Sequence, residues 1–123
     1  MNTKSQGNIG VAAAIAYFTA NNIQVSIPLG DNSRYDLIVE INGKLKKVQC
    51  KTSRYQIGKK YKVGLKTTGG NKSRSSKKLI SKGEADLLFV YTFDGGHWLF
   101  PPKQFINKVS LTLGKSKEIY RVK

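Results

Sequence analysis

The amino-acid sequence predicts a mixed helix-and-strand fold, α/β or α+β. Three observations point there. The apolar residues change periodicity several times along the chain, and no internal repeat of any length occurs. The alanine-rich stretch NIGVAAAIAYFTA has helical spacing. The runs YDLIVEI and DLLFVYTF have the length and composition of sheet strands.

The helix is expected from Asn8, a possible cap, to about Ala20, with Ile9, Ala12, Ala13, Ala16 and Tyr17 as its apolar face. Small alanines on that face would let the helix approach a sheet closely. Asn21-Asn22 supplies a stop, and Ile23 to Leu29 reads as extended.

The next segment, RYDLIVEINGKLKKVQCKTS, places two strand-like runs around Asn42-Gly43, the strongest short hairpin signal available. If Ile41 pairs with Lys44, then Leu37 faces Val48, Asp36 faces Gln49 and Arg34 faces Lys51. Side chains alternate along a strand, so Asp36, Gln49 and Lys51 share one face, while Leu37, Val39, Val48 and Cys50 share the other.

Tyr61 to Lys66 predicts a third strand and Asp86 to Phe93 a strongly apolar central one. His97 to Phe100 is its hairpin partner across Asp94-Gly95-Gly96, and Pro101-Pro102 ends that pairing. KQFINKV reads as a short helix, and SLTL and EIYRV as weak final strands. The stretch TTGGNKSRSSKKLISKG is expected to be a mobile basic loop anchored only by Leu79 and Ile80.

At 123 residues the chain has the size of a single domain, expected to span residues 1–123. Lys and Arg number 22 against 7 Asp and Glu, a formal net charge of +15 that calls for a polyanionic partner. Nucleic acid fits that requirement. A membrane does not, because the chain has neither an apolar stretch of transmembrane length nor a basic amphipathic helix. The first residues, MNTKSQGNIG, lack the apolar core of a secretion signal, so a cytoplasmic location is expected. With one cysteine and one histidine the chain lacks ligands for a structural zinc site, and any metal must be held by oxygen.

Cleaving a phosphodiester takes a cation to offset transition-state charge, a positioned water and usually a basic side chain near the attacking oxygen. The hairpin face offers each. Asp36 provides a carboxylate, Gln49 a side-chain carbonyl and Cys50 a backbone carbonyl, suited together to Mg²⁺ or Mn²⁺ with waters completing the shell. Lys51 would lie diagonal to Asp36, within reach of its long side chain.

The words GNIGVAAAIAYF, VSIPLGDNSRYDLIVEINGKLKKVQCKTS and DLLFVYTFDGGHWLFPP together resemble the PD-(D/E)XK nucleases. The likeness is to the small branch that includes intron-encoded homing endonucleases and archaeal-type Holliday junction resolvases. That resemblance implies a restriction-endonuclease-like α/β fold, a mixed sheet flanked by helices whose core hairpin carries the site. It matches Asp36 to the first acid of the family motif, Gln49 to the second acidic position and Lys51 to the lysine. A glutamine at the second position is known among the family's homing endonucleases. Many relatives also carry a metal-holding glutamate on the first helix, where this chain has Val11.

Each residue also has a plainer role. Asp36 could cap the RYD segment, and Lys51 could be one cation among many. Glu40, opposite Leu45, reads as solvated or paired with Lys47, and Asp31 in GDNS as turn chemistry. Cys50 is expected to point its thiol into the packed face, and His97 to be a surface histidine. Lys72, Arg74, Lys77, Lys78 and Lys82 are candidate DNA contacts, giving salt-sensitive binding.

Two function classes follow. One is a Mg²⁺-dependent DNA endonuclease working as a homo-oligomer, dimer or tetramer, because two cuts need symmetric protomers. A Holliday junction is favoured over a specific duplex because so short a chain leaves little room for base-reading loops. The other is a non-catalytic nucleic-acid-binding module on the nuclease scaffold.

Overall fold

The computed structural model describes residues 2–30, 32–68 and 77–123. Helix α1 runs Thr3–Ala20 and starts earlier than expected, because Asn2 rather than Asn8 caps it, its side chain accepting the Ser5 N–H at 2.8 Å. The helix stops where the Asn21 N–H reaches back to Phe18 O at 3.1 Å and Asn22 turns left-handed, at φ 60°.

The buried stripe of α1 is Gly10, Ala14 and Phe18, whereas Ala12 and Ala16 of the expected face are exposed. Close approach to the sheet decides this. A Cβ on Gly10 would lie 2.5 Å from Thr52 Oγ1 and 3.0 Å from Lys51 O. Only glycine at the contact lets the helix sit this low, and Ala14 and Phe18 follow at four-residue steps.

The strands in chain order are β1 (Gln24–Ser26), β2 (Leu37–Ile41), β3 (Lys44–Ser53), β4 (Gln56–Ile57), β5 (Lys60–Gly64), β6 (Thr67–Thr68), β7 (Lys77–Lys78), β8 (Leu87–Thr92) and β9 (His97–Phe100). Helix α2 (Pro102–Phe105), β10 (Ser110–Leu113), a 3-10 turn (Lys115–Tyr120) and β11 (Arg121–Val122) complete the order. The main sheet is mixed, ordered β1-β2-β3-β8-β9-β11, with β3 and β8 parallel and every other neighbour antiparallel.

The β2–β3 register matches the expected one at all five pairs, from Leu37↔Val48 to Ile41↔Lys44. The turn explains it: Asn42 and Gly43 both have positive φ, 53° and 77°, the geometry of a two-residue hairpin loop. Pairing ends at Leu37, so neither the expected Asp36↔Gln49 nor the expected Arg34↔Lys51 strand pair forms, and the Asp36 N–H bonds Val48 O instead.

Several other elements differ from expectation. The third strand, β5, joins a separate three-stranded sheet ordered β10-β5-β4. The ends of the basic loop pair as β6 and β7, while Ile80 packs in the core as the anchor it was expected to be. In EIYRV only Arg121 and Val122 are strand, and KQFINKV gives just one helical turn, ended by Asn107 at φ 58°.

Two apolar clusters cover the two faces of the main sheet. On one, Leu37, Val39, Val48, Cys50 and Phe89 meet Ala14 and Phe18 of α1. On the other, Leu88, Val90, Trp98 and Phe100 meet Phe105 of α2 together with Val63, Leu111 and Leu113 of the small sheet and Leu65 just beyond β5. Burying each of these larger side chains stabilises the fold by roughly 1.5–3 kcal/mol. Gln49 and Lys51 pair with Leu88 and Val90, so they share the second face and look toward the small sheet.

Candidate active site

Beyond Leu37 the chain leaves β3, and the carboxylate of Asp36 takes over where strand pairing stops. The Asp36 N–H donates to Val48 O at 2.8 Å, and its Oδ2 accepts the Cys50 N–H at 2.8 Å and the Gln49 Nε2–H at 2.9 Å. The same Gln49 Nε2 also donates to Cys50 O at 3.4 Å. Two oxygens, one a carboxylate and one a carbonyl, therefore converge on a single nitrogen.

Asp86 offers a comparison. It caps the other edge of β3, its Oδ2 accepting the Lys47 N–H at 2.8 Å, but it lines neither cavity next to Lys51. Asp36 performs the same backbone task and also opens onto a cavity of about 270 Å³ lined by Ser33, Arg34, Gln49, Lys51, Lys66, Thr67 and Lys77.

Lys51 is half-buried and donates from Nζ to Lys66 O at 3.2 Å. Burial pushes its pKa down, Asp36 pulls it back up, and Lys77 and Arg34 push it down further. Burial raises the Asp36 pKa, against the opposing pull of the Cys50 N–H and of Lys51. Both groups are thus held where their charged forms are less favoured than in water.

The Cys50 thiol is buried in the α1 cluster, and burial followed by the Asp36 charge drives its pKa well above the ordinary value, so only the backbone of Cys50 faces the chemistry. Val11 packs against the same cluster, giving the fold an apolar use for that position. Among the described residues no three His, Cys, Asp or Glu side chains gather to hold a metal.

The remaining expected residues divide clearly. Lys77 lines the cavity; Lys78 and Lys82 are exposed and do not line it. Lys72, Arg74 and Asp31 lie outside the described residues. Glu40 is exposed on the β2–β3 hairpin. His97 is half-buried, not a free surface residue, its ring packed among Tyr17, Phe89 and Tyr91.

Two cations of the cavity were not singled out from sequence. Arg34 donates to Thr67 Oγ1 at 2.9 Å and Leu79 O at 3.4 Å, and pairs with Glu84 at 3.6 Å. Lys66 comes from just beyond β5. The alternating Lys60, Lys62 and Lys66 was a usable sequence signal for the second; the expected pairing with Lys51 pointed to the first, although its actual partners lie more than thirty residues away.

A sequence profile of the PD-(D/E)XK endonucleases matches residues 1–120. The chain belongs to the PD-(D/E)XK endonuclease family. The solved structure of a bacterial homing endonuclease, I-Ssp6803I, is similar at TM-score 0.82 and 26% identity, over 98% of this chain and 89% of that one. No curated protein shows a significant match. The six-stranded mixed sheet with flanking helices matches the fold of that endonuclease, and the expected α/β class stands. Among the described residues no helix is long and apolar enough to cross a membrane.

The donor chemistry of this PD-(D/E)XK chain fits a hard divalent cation. Rotating the Gln49 amide by half a turn replaces Nε2 with Oε1, which gathers three oxygens, from Asp36, Gln49 and Cys50, as neighbours. One carboxylate and two neutral oxygens leave the rest of an octahedral shell to water and phosphate.

Proposed function

We propose that this chain is a metal-dependent DNA endonuclease, a single domain over residues 1–123, that hydrolyses phosphodiester bonds at Asp36, Gln49 and Lys51. The observation that carries the reading is the convergence of Asp36 Oδ2 and Cys50 O on the Gln49 amide, with Lys51 in the same cavity. Asp36, Gln49 and the Cys50 carbonyl would hold Mg²⁺ or Mn²⁺. Such a cation, when bound, offsets the charge that builds on the scissile phosphate.

The protein's own groups do the rest. Asp36 supplies the only ionisable ligand. Gln49 holds Asp36 in place until its amide turns. Lys51 Nζ, anchored on Lys66 O, orients the attacking water and, with its lowered pKa, can take its proton. Arg34, Lys66 and Lys77 hold the phosphodiester against the site.

Cleavage of a specific duplex, in the manner of a homing endonuclease, is now the favoured form of this activity. The preference for a four-way junction rested on a want of base-reading elements, and the small sheet β10-β5-β4 supplies an exposed basic ribbon of the kind that enters a major groove. The likeness to I-Ssp6803I supports the same choice. Two cuts on a duplex call for a homo-oligomer, dimer or tetramer.

The test uses labelled duplex and four-way junction, each with Mg²⁺, Mn²⁺ or chelator. Metal-dependent nicking that is lost in Lys51→Ala supports the proposal. Tight, salt-dependent binding without any nicking by wild type would instead establish a non-catalytic nucleic-acid-binding module.

A further inference from the structure

A second and larger cavity lies beside Lys51, about 570 Å³, between Gln6 and Gly7 of α1 and Gly64 at the end of β5 with Lys66 just beyond it. Its floor is Cys50 to Thr52 of β3. Lys51, Lys66 and Lys77 line both this cavity and the one holding Asp36 and Gln49, so the two form one trough that meets at Lys51. Among the described residues no acidic side chain lines the larger part.

Two of its wall residues are glycines that the fold does not require. Gly7 sits inside α1, and Gly64 in β5 opposite Ser110. Neither has a positive φ, and a Cβ on either would meet nothing within 4 Å. Each costs its element roughly 0.5–1 kcal/mol relative to alanine. Gly10 and Gly43 differ, being demanded by a close contact and a left-handed turn respectively. A strand glycine with no internal reason commonly marks the close approach of a ligand or another backbone.

From this opening the outward side of β5 leads away from the site. Lys62 and Lys60 stand exposed along it, while Val63 and Leu65 turn into the core. At a strand rise of about 3.3 Å per residue, the row from Lys60 to Gly64 spans roughly 13 Å, with Lys66 just past its end. Thr112, paired with Lys62, and Ser110, paired with Gly64, place hydroxyls beside it.

We propose that the outer face of β5 is the track along which one strand's sugar–phosphate backbone enters the site, Gly7 and Gly64 leaving the space in which it passes Lys51. This rests on the endonuclease reading above. A row of cations with hydroxyl neighbours and no acid in the adjoining cavity selects a polyanionic strand as its occupant. The glycines are where that strand comes closest.

The experiment fills the space without touching the chemistry. Gly64→Val suits a strand and Gly7→Leu suits a helix, so both variants should keep or raise the denaturation midpoint. Binding of a fluorescein-labelled duplex, measured in chelator, should weaken about tenfold or more in each. Lys62→Gln should reduce the slope of log affinity against log salt by about one. If Gly64→Val does not fold, Gly7→Leu and Lys62→Gln decide. Folded glycine variants that bind and cut like wild type overturn the track alone. A wild type that neither binds nor cuts duplex or junction overturns the endonuclease reading itself.

Discussion

Gln49 donates its side-chain amide to Asp36 across 2.9 Å, so the two candidate metal ligands are held together by a hydrogen bond that a cation must displace. The amide has to turn before Gln49 offers oxygen to a metal, and metal affinity therefore starts from a bond already made.

Gln49→Glu removes that bond and adds a second carboxylate 13 residues from the first in sequence and adjacent in space. Above neutral pH, half-maximal cleavage should need less Mg²⁺ than in wild type. The gain should fade as pH falls, because two neighbouring carboxylates cannot both stay ionised and one is pushed up. An unchanged Mg²⁺ requirement would remove Gln49 from the ligand set.

The raised pKa of Asp36 sets the pH behaviour of the metal-free protein. Its folded pKa lies above the ordinary value of about 3.9, so the folded state keeps a proton that the unfolded chain releases. Stability from this group is present at low pH and lost as pH rises through that window. Asp36→Asn, which keeps an acceptor for the Cys50 N–H, should flatten this slope and change stability elsewhere by about 1 kcal/mol or less. Asp36→Ala leaves the Cys50 N–H without its acceptor and should cost about 1–3 kcal/mol in urea unfolding. Metal affinity runs the other way, increasing with pH through the same raised pKa.

Lys51→Ala should reduce cleavage by roughly a hundredfold to ten-thousandfold, the usual contribution of a positioned proton-transfer group. Duplex affinity in chelator should change little, since many other cations contact phosphate. Single-turnover cleavage beside a binding titration separates the two, and parallel losses in both would make Lys51 a binding residue.

Gly10→Val should destabilise the fold by about 1–3 kcal/mol, as overpacked contacts do, because its Cβ would press on Thr52 Oγ1 and Lys51 O. The same displacement reaches the backbone of Lys51, so the folded fraction should also cut more slowly. Denaturation and cleavage by the purified variant measure the two effects.

The core hairpin was legible in the sequence because its information is local. Asn42-Gly43 fixes one turn geometry, the turn fixes the register as far as Leu37↔Val48, and Asp36 just beyond it reaches Gln49 through its side chain. The docking face of α1 was not legible in the same way. Apolar residues surround that helix on nearly every side, and the deciding residue, Gly10, is chosen by a contact with β3 some forty residues away. The small sheet followed the same pattern. Alternation in Tyr61 to Leu65 marks a strand, yet its partner Ser110–Leu113 lies far along the chain. Arg34 reaches the cavity by leaving the β2 ladder, which no alternation rule anticipates.

The departure of β2 at Leu37 has one more consequence. It leaves residues 49–53 of β3 with a strand neighbour on one side only, an edge in the interior of the sheet. Exposed edges invite pairing with another chain, and proteins blunt them with charge. Asp36 and Lys51 flank this one, the first by occupying the Cys50 N–H and the second by its half-buried ammonium. The groups proposed to cut DNA would therefore also keep this edge from pairing with another chain, and replacing both with apolar residues should promote aggregation.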